Sequence, residues 1–559
     1  MNALAQLMSE RLVDGLKRSA VDNSADWASL YRIMGSDSPF PGPWTFKYHP
    51  WLHKPHVSRA EMQIDKKAAQ MGFSEKNLNK TFYIMDIEGA SVLYILPNTK
   101  PDAADFSAAR FDPAVEESPR LTSLFTNIKN TGLKRAGSAS LYVRGSRSRA
   151  GLKSIPVRYI IIDEMDEMDV KKVALAFERA SGQKSGDVVV IMTSTPSIEG
   201  MGIDRYFEDS SQEHYFFKCP HCSKYIDLDF DLEDPRNLVI TADAHSDPKI
   251  KDSHLICHLC KGRLEHNDKT DFLSLENAVW VPAKKNVIAE GYTISQLYST
   301  VMEPYKFAIA ALKATLNPED EQELFNSKLG KTHVVKGGRV TDDEIVRAIG
   351  QYRTKENSSP NRITTMGIDV GTHLHYVIDE WDIKPRDMTV DLNLNAICRC
   401  IKADKVRCIN DLSEIFELMI RYRINFAVMD ANPETRLAIN FCKRFPAITR
   451  RCYYKRGMTG KAITDRPEDQ EIGVHRSSWL DMSLGRFHND TIQLPFDISE
   501  EFKSHVKVPA RIYSRDQDGN PVARYESGTK ADHFAHARNY SEIALPLAVR
   551  SVTNMNIPS

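Results

Sequence analysis

Three aspartates, Asp369, Asp430 and Asp532, stand where strands and helices could deliver carboxylates to one point. Thr365-Met366-Gly367-Ile368-Asp369 reads as a strand ending in an acid. Ile424-Asn425-Phe426-Ala427-Val428-Met429-Asp430 reads as another. Ala531-Asp532-His533-Phe534-Ala535-His536-Ala537 reads as a helix start carrying the third. Two-metal cleavage of a phosphodiester needs several carboxylates around ions roughly 4 Å apart, and hard oxygen ligands suit Mg²⁺ or Mn²⁺. These three acids are therefore the expected metal ligands and catalytic residues of a nuclease. Asp481 is a further acid in the same half, less clearly placed by its surroundings.

A second kind of chemistry is written into Val157-Arg158-Tyr159-Ile160-Ile161-Ile162-Asp163-Glu164, an apolar run closing on two acids. Buried parallel strands have this composition, and open α/β sheets bind ligands at their carboxyl ends. Such a Walker B strand would let Asp163 hold Mg²⁺ through water and Glu164 orient the attacking water. Another buried strand, Val188-Val189-Val190-Ile191-Met192, runs into Thr193-Ser194-Thr195-Pro196. Ser194 and Thr195 could sense the γ-phosphate of ATP and couple hydrolysis to motion.

No G-x-x-x-x-G-K-[ST] phosphate loop occurs. Gly330-Lys331-Thr332 follows the Walker B strand, the wrong order, and Gly457 to Lys461 has the wrong spacing. The expected loop is Lys66-Lys67-Ala68-Ala69-Gln70-Met71-Gly72-Phe73-Ser74-Glu75, ahead of a helix from Lys76 to Met85. Its amides would wrap phosphate at the helix N-terminus. Phe73 stands where the usual lysine would be, so Lys66 or Lys67 must bring the charge from the front of the loop.

The elements that position these residues belong to more than one domain, since 559 residues exceed a single core. Hydrophobic content of 42% and charged content of 27% describe an ordinary globular chain, and a net charge of −1 excludes no partner class. No apolar run approaches a membrane span, and Met1 to Lys17 lacks a signal-peptide core. Cys219-Pro220-His221-Cys222 and Cys257-His258-Leu259-Cys260 are paired knuckles, the ligand pattern of a closed structural Zn²⁺ site. His221 and His258 are bystanders in that reading. Basic residues interleaved with aromatics, Arg450, Arg451, Lys455, Arg456 and Lys461, fit a DNA-facing edge. Arg511 to Tyr525 reads as a basic hairpin turning at Asp518-Gly519-Asn520.

Taken in order, the Lys67 loop, Asp163-Glu164, Ser194-Thr195-Pro196, the paired CxxC and Asp532-His533-Phe534-Ala535-His536-Ala537 resemble the large terminase subunit of tailed bacteriophages, in its lambda-like branch. The resemblance runs from about Pro41 to Ala548 and selects Lys67 as the loop's lysine. It implies an α/β chain: a P-loop-type (ASCE) ATPase domain at 41–335, with a zinc ribbon inserted at about 215–265, and an RNase H-like nuclease domain at 360–548. Residues 1–40 would form an N-terminal helical segment, 336–359 a linker and 549–559 a tail. It further implies that Tyr48 stacks on the adenine. The cofactors would be ATP, Mg²⁺ or Mn²⁺, and structural Zn²⁺. The partners would be double-stranded viral DNA, a portal protein and procapsid, a small terminase subunit and further copies in a ring, in the host cytoplasm. Arg144, Arg147 and Arg149 remain open as the arginine that stabilises the γ-phosphate. Two other readings use the same residues: a metal-dependent nuclease or recombinase with a nucleotide-dead N-terminal scaffold, and a non-catalytic zinc-ribbon assembly protein.

Overall fold

Aliphatic runs flanked by polar loops become buried strands here, and amphipathic stretches become the helices that cover them. The computed structural model describes residues 8, 21–125, 130–147, 157–168, 188–383, 392–407, 411–455, 458, 460, 462–515, 521–528 and 530–553. They fall into two units, Met1–His333 and Val334–Ser559.

In the first unit, α1 (Ser24–Tyr31) precedes β1 (Met62–Lys67), α2 (Phe73–Tyr83), β2 (Val92–Leu96), β3 (Ala139–Gly145), β4 (Tyr159–Asp163), β5 (Val189–Ser194), α3 (Gly202–Glu208), β6 (Glu213–Lys218) and β7 (Ala289–Ile294). The strands run parallel in the order β6-β7-β1-β5-β4-β2-β3. Because β5 separates β1 from β4, register sets Lys66 opposite Ser194 and Asp163 opposite Thr193. The loop lysines and the two acids therefore open at one sheet edge, where ligands of parallel sheets sit. Residues 1–40 are not a separate segment throughout. Trp27 of α1 is fully buried, packs against Phe82 of α2, and donates its indole N–H to Asp86 at 3.0 Å.

The second unit contains α4 (Asp342–Ala348), β8 (Ile363–Val370), β9 (His373–Asp382), β10 (Ile397–Arg407), β11 (Phe426–Asp430), β12 (Thr449–Tyr454), β13 (Glu471–Val474), α5 (Arg476–His488), α6 (Glu500–Lys507) and α7 (His533–Thr553). β8, β9 and β10 are antiparallel neighbours, while β11, β12 and β13 continue in parallel from the other side of β8. α7 lies hard against β8. A Cβ on Gly367 would come within 2.0 Å of the Ala537 carbonyl and 2.2 Å of the Ser541 amide, so only glycine permits the approach. The hairpin expected at 511–525 is formed by Ala510–Arg515 and Pro521–Glu526; its turn lies outside the described residues.

Two expected boundaries are corrected. The stretch 336–359 is not a bare linker, because α4 carries a Thr341–Glu344 capping box and its Ile345 and Ala348 pack with Leu480, Leu484 and Phe487. Nor does a tail begin at 549, since α7 continues to Thr553 and Val549 is fully buried. In both places a few apolar positions at helical spacing outweigh the polar residues around them.

Candidate functional site

β1 ends in two lysines whose side chains alternate across the strand, as period-two geometry requires. Lys66 Nζ meets Asp204 Oδ1 on α3 at 2.5 Å and lies over the Phe207 ring, so it is held away from the acids of β4. Lys67 is 5% exposed, and its Nζ lies 3.4 Å from Glu164 Oε1 and 3.2 Å from Thr195 Oγ1. Strand alternation thus gives the two lysines different partners, and Lys67 is the one that reaches Glu164 and Thr195.

After Lys67 the amides of Ala68 and Ala69 donate to the carbonyls of Ile294 and Ser327, at 2.9 and 2.7 Å. Those two residues, expected to bind phosphate, have their N–H groups already engaged. The loop is braced further by Gln296, which donates to the Ala69 carbonyl, and Trp51, which donates to that of Met71. Gly72, at φ +84°, then opens α2. Helix N-terminal amides have no intrahelical acceptor, so those of Gly72, Phe73, Ser74 and Glu75 are the ones available to an anion. Behind the loop, Lys76 is fully buried and pairs with Asp65 at 2.6 Å, and Asp65 also accepts from Thr193 and Gln63. Sequence reading missed this network because Lys76 looks like an ordinary surface lysine of a helix.

Asp163 is 3% exposed. Its Oδ2 accepts from the Tyr94 hydroxyl at 2.6 Å, while Oδ1 is buried with no partner among the described residues. An orphaned carboxylate oxygen in that position fits the water-mediated Mg²⁺ ligand expected of it. Glu164 follows in the left-handed region, φ +60° and ψ +51°, a conformation that costs a non-glycine residue about 1 kcal/mol or more. Desolvation in the cleft raises its carboxyl above the usual range, Lys67 opposes the rise and Asp163 adds to it. Asp166 ties this turn to the segment after β5: it accepts from the Ser197 amide and hydroxyl and the Ile203 amide, at 2.9, 2.8 and 2.8 Å. Its own amide donates to Ser194 Oγ at 3.0 Å, so Ser194 faces the turn while Thr195 faces Lys67.

Lys67, the loop from Ala69 to Glu75, Glu164 and Thr195 line a cleft of about 1090 Å³ that also takes in Phe40, His49, Arg110 and Lys306. Tyr48 is not among the lining residues. Its ring stacks on Phe40, 3.8 Å between centroids at 4°, and Phe40 presents the aromatic face. Of the three candidate arginines, Arg144 donates to the carbonyls of Gly132 and Val143 and is held on its own hairpin. Arg147 is exposed just beyond β3, and Arg149 lies outside the described residues. Exposed Arg110, on the cleft wall, had no motif to single it out.

The four cysteines sit in two knuckles of one design. Cys219 N–H donates to the Lys224 carbonyl and Ser223 N–H to that of Cys219; Cys257 N–H likewise donates to Gly262 and Lys261 N–H to Cys257. Ser223 and Lys261, the equivalent positions, are both left-handed at φ +58° and +60°. The sulfurs of Cys219 and Cys260 are 3.9 Å apart and those of Cys222 and Cys257 4.0 Å. A tetrahedral ion with 2.3 Å bonds to sulfur needs an edge of about 3.8 Å, so the cluster fits Zn²⁺.

In the second unit, parallel pairing of β8 and β11 sets Ile368 beside Met429, which brings the following Asp369 and Asp430 to neighbouring strand ends. Burial pushes the Asp430 carboxyl up to about 6; the Asn432 amide opposes this and the Asp369 charge adds to it. Burial would also raise Asp532, but His536, the Ser527 hydroxyl and Arg476 outweigh it and hold the group well below the usual carboxylate range. The three carboxylates are not bonded to one another. Asp369 Oδ2 meets His533 Nδ1 at 2.8 Å, and Asp532 Oδ2 meets His536 Nε2 at 3.2 Å. Among the described residues, the close donor set that includes Asp369 is Asp369, His375 and His533. Mutual repulsion between Asp369 and Asp430 is what a divalent cation would relieve, so these two strand-end acids are compatible with one. Asp481 serves the hairpin instead, accepting from Arg511 at 2.8 Å and Tyr525 at 2.9 Å.

The expected DNA edge is corrected in part. Arg450 is 7% exposed, pairs with Asp465 at 2.8 Å and donates to the Thr449 carbonyl. Arg451 donates to the Asp469 carbonyl, and Lys455 lies 3.7 Å from Glu471. Acids that follow this strand in sequence neutralise it, which local charge counting did not weigh. Arg456 and Lys461 lie outside the described residues.

An α/β chain with a nucleotide-type cleft in one unit and strand-end carboxylates in the other has the fold of a large terminase. Its similarity to the large terminase of bacteriophage HK97 spans 93% of this chain and 98% of that one, at 10% identity and a TM-score of 0.50. Looser similarity reaches the large terminase of a thermophilic bacteriophage, at 10% identity and TM-score 0.29 over 89% of this chain and 96% of that one. The large terminase nuclease of thermophilic phage G20c with bound magnesium matches at 12% identity and TM-score 0.24, over 37% of this chain and 96% of that one. Comparison with curated proteins finds no match. More narrowly, residues 38–280 match the family described as phage terminase large subunit gpA, ATPase domain.

Proposed function

We propose that this chain is the motor subunit of a viral DNA-packaging machine: ATP hydrolysis in the first unit drives double-stranded DNA into a procapsid, and the second unit cuts concatemeric DNA. The observation that carries the reading is Lys67, which reaches Glu164 and Thr195 from the front of the loop and so supplies the charge that Phe73 cannot. Mg²⁺, when bound, would neutralise charge on the β- and γ-phosphates. The amides from Gly72 onward would cradle phosphate oxygens, Asp163 would hold the ion's water, and Glu164 would orient the attacking water. Thr195, bonded to the same lysine, would pass the loss of the γ-phosphate to the segment that Asp166 holds. Exposed Arg110 is the cis candidate for stabilising charge on the phosphate. Phe40, backed by Tyr48, offers the aromatic face for the base.

The sheet order of the second unit supports an RNase H-like nuclease, with Asp369, Asp430 and Asp532 as ligands for Mg²⁺ or Mn²⁺. The cysteine cluster would hold Zn²⁺ as a structural ion, since four thiolates leave no position for water. The partners would be a portal, a small subunit and further copies in a ring, in the host cytoplasm. The test is packaging with purified procapsids and portal. ATP-dependent protection of DNA from added nuclease is expected, and its loss in Glu164→Gln. Protection that needs no ATP, or none with any portal tried, would overturn the reading.

A further inference from the structure

Beside the nuclease carboxylates lies a second group of donors that the packaging reading does not use. His375, on β9, is the strand partner of Asp369. Glu501 and His505 stand four residues apart on α6, a spacing that puts both on one helix face. One donor atom from each of His375, Glu501 and His505 lies within 4.8 Å of the other two. The His375 and His505 rings are 5.7 Å apart, and His375 Nε2 is 3.8 Å from Glu501 Oε1.

Both imidazoles are deeply buried, 3% and 8% exposed, and each has a buried Nδ1 with no hydrogen-bond partner among the described residues. Native interiors rarely leave such groups unsatisfied, because each costs about 1–3 kcal/mol. Two buried rings, each with one nitrogen short of a partner and both close to one carboxylate, look like ligands rather than packing.

We propose that His375, Glu501 and His505 bind one divalent ion of the Zn²⁺ class, at a site separate from the four cysteines and bordering Asp369, with which His375 and His533 form a close donor group of their own. Two imidazoles and a carboxylate are a donor set that zinc uses, whereas Mg²⁺ prefers oxygen ligands alone. Lys405 is the built-in competitor: its Nζ holds both Glu501 oxygens at 2.7 Å, so ion binding requires that carboxylate to turn away. The site adjoins Asp369 through His533, whose ring stacks on His375 at 4.6 Å and whose Nδ1 holds Asp369. An ion there would clamp α6 to β9, behind the strand end that carries the first nuclease acid. The proposal does not depend on nuclease activity.

The experiment is a Zn²⁺ titration of full-length protein whose cysteine cluster is already filled with zinc, followed by competition with a chromophoric chelator and by thermal shift. One further equivalent per chain is expected, with affinity lowered roughly tenfold or more in Glu501→Gln and His505→Gln. Lys405→Met should tighten binding, and Asp430→Asn should leave it unchanged. Glu501 is 37% exposed at its side chain, so its variant should keep the fold even if that of buried His505 does not. The proposal is overturned if wild type takes up no further equivalent, or if Glu501→Gln binds it as tightly as wild type. Loss in Asp430→Asn rather than Glu501→Gln would assign the ion to the aspartates instead.

Discussion

In the first unit the acids at the end of β4 have a cation of their own, Lys67, 3.4 Å from Glu164. In the second unit Asp369 and Asp430 end adjacent strands, and Asp430 is pushed up to about 6 by burial, with the Asp369 charge adding. Among the described residues, histidines rather than lysines or arginines make the ion pairs of Asp369 and Asp532. The difference teaches how each site is built. On the proposed reading, a cleft that accepts a polyanion keeps fixed cations and free amides and would lend its acids to one ion and one water. On the same reading, strand-end acids that repel one another would be completed by divalent cations, and the histidines that now pair with them would have to release them.

The largest expected effect separates the two regions. Glu164→Gln should lower ATP turnover roughly 10²- to 10⁴-fold while nucleotide still binds and DNA cleavage persists. Asp430→Ala should do the converse, abolishing plasmid nicking in Mg²⁺ or Mn²⁺ with ATP turnover intact, because it removes a metal ligand in the other unit. Both assays belong on the same preparations. An Asp430→Ala protein that nicks at the wild-type rate would end the nuclease assignment.

A smaller effect sharpens the account of the cleft. Lys67→Ala should reduce ATP turnover about tenfold or more, and Lys66→Ala less, since Lys66 is engaged by Asp204 on α3. Equal losses in the two variants would remove the reason for preferring Lys67.

The smallest effect tests the electrostatic contrast itself. The folded Asp430 carboxyl, at about 6, holds its proton more tightly than an unfolded one. Its contribution to stability is therefore full below the unfolded pKa of about 3.9 and fades as pH rises through the folded value. In metal-free protein, Asp430→Asn should flatten that part of the melting-temperature profile of the second unit. Added Mg²⁺ should raise the melting temperature of wild type most above pH ~6, where the carboxylate is charged. A profile unchanged by the substitution would count against the repulsion between Asp369 and Asp430.

Much of this was legible in sequence because strand ends announce themselves. An apolar run closing on acids can be read as a buried strand without knowing its neighbours, and so Asp163, Glu164, Asp369 and Asp430 were found where the strands end. Paired knuckles fix four cysteines by local spacing alone, and their sulfurs do meet. Between Lys66 and Lys67 the residues alone leave the choice open; the family resemblance favours Lys67, and it is Lys67 that lies near Glu164 while Lys66 pairs with Asp204.

What only the tertiary structure decided are the residues whose role depends on a distant partner. Arg450 looks like a DNA contact until β12 comes up against Asp465 and buries it. Lys76 looks solvated until the fold buries it against Asp65, a carboxylate that Thr193 also donates to. Phe40, rather than Tyr48, lines the cleft, because Tyr48 stacks on it from outside the lining. The imidazoles of His375 and His505 come from a strand and a helix far apart in the chain. The physical reason is the same in each case. Periodicity and turn chemistry act over a few residues, whereas burial and charge pairing are settled by whichever elements the fold packs together.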